Sequence, residues 1–301
     1  MHDVIIIGAG PAGLSAALLL ARCRRTVFIF DANEPRNAAS QGLHGYLTRD
    51  GVGPHELREL GRADLARYSG VTLHEAAVVD VRRLADIFEV TAEGGRTERS
   101  RLLLLATGRA DLLPDIQGFH EYYGRGVYHC PFCDGWEHRG RPMAVHGNGA
   151  RAFGIARELL TWSDEVAICC EGSPVWPGGG RRAGELGIRV ITERVRQLEG
   201  TPAGLSRINF ETGESLPCEA FFFDGECVQR SSLPERLGCC FGDGNSVLCN
   251  QHAATNVPGL YIAGNVRGGI HLAITAAAEG AEAALAMNDA LLDRAYPPFT
   301  P

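Results

Sequence analysis

"DVIIIGAGPAGLSAALLLARCRRTVFIFD", residues 3–31, changes its hydrophobic rhythm twice within thirty residues. Val4 to Ile7 form a continuous apolar run, as expected of a parallel strand covered on both faces. Gly8-Ala9-Gly10-Pro11-Ala12-Gly13 follows, then an Ala/Leu-rich stretch that predicts a helix to about Arg22. A second apolar strand, Val27 to Phe30, ends at Asp31. Each glycine has a distinct task. Gly8 allows the tight turn, Gly10 lets backbone approach a pyrophosphate, and Gly13 lets helix and strand pack closely. Asp31 lies 18 residues past Gly13, where an acid can bond ribose hydroxyls. A GxGxxG alone is weak; with strand, helix and acid all in place it reads as a dinucleotide-binding βαβ unit.

The pattern recurs in "RPMAVHGNGARAFGIARELLTWSDEVAICCEG", residues 141–172. Here a strand is expected at Met143 to His146, a Gly147-x-Gly149-x-x-Ala152 loop, a helix to about Trp162 and a strand ending at Cys169-Cys170-Glu171. Two such units in one chain give an α/β fold class with two Rossmann-like domains, the layout of a flavoprotein with a separate nicotinamide domain. "RLLLLATGRADLLPDIQG" lies between them: Leu102 to Leu105 read as a buried strand, Ala106-Thr107-Gly108 as a small-residue turn, and Leu113-Pro114 as a domain crossing. Near the end, "VPGLYIAGNVRGGIHLAITAAAEGAEAALAMNDALL" predicts a strand at Leu260 to Ala263, a turn at Gly264-Asn265 and a helix from about His271 to Leu292. That helix closes the first domain, so the second is inserted within it. The expected boundaries are 1–113 and 243–301 for an FAD-binding domain, and 114–242 for an NAD(P)-binding-like domain.

Composition fits a globular protein: 301 residues, 45% hydrophobic and 22% charged. A formal charge of -7 argues against nucleic acid or an acidic membrane surface as partner. No apolar run reaches the roughly 18–20 residues of a membrane span. With no basic leader before the first strand, the expected location is cytoplasmic. Ten cysteines in so long a chain do not suggest a secreted disulfide framework. Eight of them read as small buried hydrophobes. Cys130 and Cys133, in "HCPFCDGWE" (residues 129–137), have a spacing with chemistry attached. Three readings compete. A zinc site needs a second ligand pair, and only His129 and His138 flank this one. A coincidental pair in a core strand is at odds with Pro131 and the trailing Asp-Gly, which mark a turn. A redox disulfide suits the spacing, since a CxxC at a helix start closes a small ring and has one thiol pKa drawn towards neutrality.

The GxGxxG, ATG, CxxCD, second GxGxxA and terminal "YIAGN" with its Ala-rich helix, in that order, resemble the low-molecular-weight thioredoxin reductases over nearly the whole chain. These are homodimeric, FAD-dependent pyridine-nucleotide-disulfide oxidoreductases. A branch with the same layout contains FAD-dependent dithiol oxidases, and "PRNAAS" (35–40) and "CDGWE" resemble that wider branch. The resemblance implies that Cys133 exchanges electrons with FAD and Cys130 exchanges with the partner. Asp134 is then the acid–base residue, with a helix N-cap as its alternative role. It also implies FAD contacts at Gly8, Gly10, Pro11, Ala12, Gly13, Asp31, Ala106, Thr107, Gly108, Gly264, Asn265 and His271. The expected partner is a thioredoxin-like protein, or a small dithiol or disulfide. In the dithiol-oxidase branch a His commonly stands where Asp134 does, so Asp134 favours reductase-type exchange. The alternative is a dithiol oxidase with oxygen as acceptor.

Three positions depart from the family pattern. Asn265 replaces the acid of the usual "GD", and Ile270-His271 replace an Arg-Gln pair at the last helix. The third departure concerns the basic cluster for the 2′-phosphate of NADPH. In its place stands "CCEGSPVWPGGGRR" (169–182), with Glu171 19 residues past Ala152. Arg151 is bulky at the mouth of that loop, and Arg181 and Arg182 lie beyond a glycine-rich stretch. NADPH, NADH and no nicotinamide all stand open, so NAD(P)H is a doubtful cofactor. A protein donor such as ferredoxin would serve in the last case. The proline-stiffened tail 294–301, with Tyr296 and Phe299, then reads either as a cover over the partner subunit's flavin or as an ordinary terminus.

Overall fold

The computed structural model describes residues 1–172 and 177–296. It divides into two compact units, 1–38 with 45–110 and 228–301, and 39–44 with 111–227.

The first unit is built on a seven-stranded sheet. Strand His2–Ile7 lies parallel between Val27–Asp31 and Thr97–Leu105, and Val71–Glu75 extends the edge beyond Val27–Asp31. Thr97–Leu105 is split along its far edge. Its last residues pair in parallel with Leu260–Ile262, and its first ones pair antiparallel with Ile87–Ala92. Alternation explains why Val4 to Ile7 of the first strand are all apolar. Val4 and Ile6 join one core with Leu20, Ala16 and Ala283, whereas Ile5 and Ile7 join another with Phe28, Phe30, Phe88 and Val247. Both faces are covered, so neither tolerates a polar residue. Removing a fully buried side chain such as Leu20 costs roughly 2–5 kcal/mol.

Helix Pro11–Arg22 starts with proline at its first position, where the missing N–H is no loss. It packs against helix Ala273–Ala295 at two small residues: a Cβ on Gly280 would sit 2.0 Å from the Ala12 carbonyl oxygen. This helix begins two residues later than its sequence suggests and runs three further, so His271 lies before it rather than on it.

The second unit holds a five-stranded parallel sheet in the order Arg189–Ile191, Val166–Cys169, Met143–His146, Ala220–Phe223 and Val127–Tyr128. Helix Gly149–Leu159 covers one face through Ala152, Ala156 and Leu159. A three-stranded antiparallel sheet, Val195–Thr201, Gly204–Phe210 and Ser215–Pro217, adds Leu198, Ile208 and Leu216 to the opposite core.

The chain crosses at 110/111 and 227/228, against an expected 113/114 and 242/243. Residues 228–242 belong with the first unit because Leu233 and Cys239 are buried in its core. Proline marks the first crossing within three residues, and the turn dipeptide Asp224-Gly225 stands just before the second. The eight other cysteines are less uniform than expected. Cys169, Cys170, Cys218 and Cys239 are buried, but Cys23 and Cys240 are exposed. Cys23 caps the outer end of helix Pro11–Arg22 and so falls outside the packed face.

Candidate active site

The first glycine loop is shaped by close approach. Gly8 has φ +105°, and a Cβ there would meet the Ala106 carbonyl oxygen at 2.3 Å. A Cβ on Gly13 would meet the Gly8 carbonyl oxygen at 1.9 Å, so helix and loop touch backbone to backbone. Gly10 is different: a Cβ there would meet nothing within 4 Å. That open space borders the N-terminus of helix Pro11–Arg22, where backbone N–H groups favour an anion.

The other predicted positions converge on this loop. The Ala106 N–H donates to the Ile7 carbonyl at 2.9 Å, setting the Ala106-Thr107-Gly108 turn beside Gly8. The Thr107 hydroxyl is buried with no protein partner. Gly264, at φ +80°, leaves only 3.0 Å between a built Cβ and that of Ala12, and Asn265 begins the next turn half-buried. His271 accepts on Nδ1 from the Arg36 guanidinium at 2.9 Å. Gly8, Gly10, Pro11, Ala12, Gly13, Asp31, Ala106, Thr107, Gly108, Gly264, Asn265 and His271 all belong to this one unit. An open cradle at Gly10, an anion-favouring helix end and an unspent Thr107 hydroxyl fit the pyrophosphate-bearing cofactor FAD.

Asp31 is 7% exposed and is held by two arginines that sequence reasoning missed. Arg58 donates to Oδ2 at 2.5 Å and Arg62 to the same oxygen at 2.9 Å, while the Ala9 N–H reaches Oδ1 at 3.3 Å. Both arginines stand on helix Pro54–Leu65, one turn apart. That spacing was legible, but the partner acid was too distant in sequence to suggest it.

In the second unit Cys130 and Cys133 form a disulfide across a single helical turn, Pro131–Asp134. Cys130 occupies the N-cap position, and Asp134 ends the turn instead of capping it. Gly135 is required next, because a Cβ there would strike the Pro131 carbonyl at 2.7 Å and the Trp162 ring at 2.8 Å. Phe132 and Trp136 flank the disulfide and are largely exposed. Phe132 meets Trp162 edge-on at 6.1 Å, and Arg139 stacks on Trp136 at 4.3 Å.

Asp134 is withdrawn from water beside another acid. Burial first, and the charge of Glu137 second, push its carboxyl up to about 7. Burial and the nearby Asp134 charge push Tyr128 up to about 12. Its hydroxyl lies 3.0 Å from His138 Nε2, and burial, aided by Arg141, lowers the His138 pKa so that the ring favours its neutral form. A carboxyl near 7 is ionised and protonated in comparable amounts at neutral pH, as a proton carrier requires. In the sequence, Asp134 reads as the acid–base residue by resemblance and His138 only as a flank for metal ligation, while no local signal marks Tyr128 or Glu137. Among the described residues no His, Cys, Asp and Glu group is placed to hold a metal. No described helix is long and apolar enough to cross a membrane.

The second glycine loop keeps its backbone but not an open mouth. Gly149, at φ +74°, has free space at its Cβ position, whereas a Cβ on Gly147 would meet that of Asp224 at 2.6 Å. Arg151 turns across this loop, placing Nε 2.7 Å from Asp224 Oδ1 and donating to the Gly225 carbonyl at 3.2 Å. Glu171 follows strand Val166–Cys169 and lies 3.5 Å from His146 Nε2. Arg181 and Arg182 instead face Glu185 on their own helix, at 3.9 and 2.8 Å. Phe299 lies outside the described residues, while Tyr296 is exposed.

Residues 2–280 match the model of the pyridine nucleotide-disulphide oxidoreductases. The chain belongs to that family. It is an FAD-dependent disulfide oxidoreductase of the thioredoxin reductase-like type. A putative thioredoxin reductase from Bacillus anthracis superposes with a TM-score of 0.94 at 30% identity, covering 98% of this chain and 100% of that one. A thioredoxin reductase of Claviceps purpurea is 32% identical over 278 residues, 87% of this chain and 86% of its own. An atypical thioredoxin reductase from Desulfovibrio vulgaris Hildenborough is 31% identical, with a TM-score of 0.54 over 99% of this chain and 100% of that one.

Proposed function

We propose that this oxidoreductase passes electron pairs between FAD and a thioredoxin-like protein through Cys130 and Cys133, with Asp134 moving the proton. The observation that carries the reading is the disulfide adjoining a carboxyl pushed up to about 7. FAD, when bound, supplies the two-electron carrier. The reduced pair then acts by exchange. The Cys130 thiolate attacks one sulfur of the partner disulfide, whose S–S bond breaks, and a mixed disulfide forms. The Cys133 thiolate next attacks Cys130 Sγ, restoring the Cys130–Cys133 bond and releasing the partner's other thiolate. The partner leaves as a dithiol, having gained two electrons and two protons. Asp134 supplies one of those protons and takes it up again from solvent.

NADPH is not the regular electron donor in this reading. The residues lining the second glycine loop do not suit a 2′-phosphate: Glu171 stands near the end of the strand that follows the loop's helix, and Arg151 is engaged by Asp224. A protein donor of ferredoxin type takes the place of a nicotinamide. Run backwards, with a dithiol as donor and oxygen as acceptor, the same exchange is a dithiol oxidation.

Anaerobic mixing of the FAD-loaded protein with NADPH, NADH, reduced ferredoxin and a small dithiol separates these cases. Flavin bleaching by reduced ferredoxin alone, followed by reduction of a thioredoxin-fold disulfide that Cys130→Ser abolishes, is the expected result. Rapid bleaching by NADPH would overturn the donor assignment. Catalytic hydrogen peroxide production from a dithiol in air would reverse the direction.

A further inference from the structure

A cavity of about 460 Å³ opens beside Asp134, lined within the second unit by Tyr128, Glu137, His138, Gly204 and residues of segment 40–44. Every turnover requires the acid that serves the cysteine pair to be recharged from water, yet Asp134 is largely withdrawn from it. We propose that this cavity is the proton port of the disulfide centre, with Glu137 as its gate residue and the Tyr128–His138 pair as its relay. The inference rests on the acid–base reading of Asp134 given above.

The geometry supplies an exposed acid at the mouth and a hydrogen-bonded pair on the wall, whose other ring nitrogen, His138 Nδ1, has no protein partner among the described residues. Glu137 lies three residues past Asp134, lines the same cavity and is 37% exposed at its side chain, so it bridges the acid and solvent. Tyr128 and His138 form a hydrogen-bonded pair at 3.0 Å on the cavity wall. A neutral imidazole can accept on one nitrogen while donating from the other, and a phenol hydroxyl does both with one oxygen. Burial keeps His138 neutral, the form a relay needs.

The charged groups facing Asp134 come from every neighbouring segment. Glu137 and His138 follow it in the chain, and His44 approaches Glu137 at 3.6 Å from segment 39–44. Arg141 is paired with Glu219, and Arg125 donates to the Glu121 carbonyl at 2.8 Å. The two arginines are engaged by other oxygens, so the acidic neighbour left beside Asp134 is Glu137, itself 3.6 Å from His44. The mouth is of mixed charge, with Glu137 and Glu219 set among His44, Arg125 and Arg141, and it leads to an acidic carrier.

The test is the titration of Asp134 itself, followed by carbon-13 NMR of labelled carboxyl groups in the FAD-loaded oxidised protein, with Asp134→Asn to identify the resonance. Glu137→Gln is expected to move the Asp134 midpoint to lower pH, and Glu137→Asp to restore most of it. The inflection in the pH profile of dithiol-driven flavin reduction should move with it. Tyr128→Phe should leave the midpoint near its wild-type position while raising the solvent deuterium isotope effect on that step. If Asp134→Asn impairs exchange but Glu137→Gln leaves midpoint and inflection in place, the port is wrong and the acid–base reading survives. If Asp134→Asn exchanges at the wild-type rate across the pH range, the acid–base reading itself fails. An isotope effect unchanged in Tyr128→Phe would remove the relay.

Discussion

Asp31 and Asp134 are both carboxylates held away from water, and the two units treat them in opposite ways. Asp31 is met by Arg58, Arg62 and a backbone N–H, so its charge is compensated on three sides. Asp134 is placed beside Glu137 and pushed up to about 7. The first arrangement fixes a charge; the second makes a charge easy to lose. The same contrast separates the glycine loops. At the third position of the motif Gly13 has no room for a Cβ, whereas Ala152 carries one and is fully buried.

The largest effect should come from Gly13→Val. Its Cβ would fall 1.9 Å from the Gly8 carbonyl. The expected cost exceeds about 3 kcal/mol, seen as loss of bound flavin and of the thermal transition. The matching change in the other loop, Ala152→Gly, should cost only about 1 kcal/mol. Equal effects would break the comparison.

Asp134→Asn tests the opposite treatment of the two acids. A carboxyl whose folded pKa is raised contributes stability that is present below its unfolded pKa and lost as pH rises through the folded value. From a usual value of 3.8 to about 7, the wild-type protein should lose up to about 4 kcal/mol that the asparagine variant keeps. Denaturant melts at pH 4 and pH 8 would reveal it: near-equal midpoints at pH 4 and a more stable variant at pH 8. A gap that narrows with rising pH would contradict the burial of this acid.

Arg58→Met sharpens the other half. It leaves Asp31 with one arginine and should cost roughly 1–3 kcal/mol, together with weaker flavin retention on dilution. The smallest effect belongs to Arg151→Ala. The Arg151 side chain is 68% exposed, so its pairing with Asp224 is worth less than about 1 kcal/mol. Stability should hardly move, and any gain in NADH binding by calorimetry would identify Arg151 as the obstruction at that loop.

Much of the fold was legible because apolar runs and glycine spacing act locally. The strand cores at 4–7, 27–30 and 143–146, and the helix ending at Arg22, follow from rhythm and turn chemistry alone. The second chain crossing was not, since residues 228–242 are placed by burial of Leu233 and Cys239 in a core formed by distant strands. The site divided along the same line. The glycine loops and the cysteine pair announce themselves by spacing, whereas Thr107 is reached only through the family resemblance. Arg58, Asp224 and the Tyr128–His138 pair act only through partners 10–73 residues away, a juxtaposition that no local pattern encodes.

The one-turn helix carrying the two sulfurs is fastened more firmly than its length suggests. Trp162 abuts Gly135, meets the Phe132 ring, and accepts from the Gly140 N–H at 2.7 Å. A hairpin loop could swing alone on its stem, but this turn is moored to the end of a helix that lies on a five-stranded sheet. Its sulfurs are therefore held in a fixed place on that sheet, and a local flexing of the turn alone would have to break these contacts first.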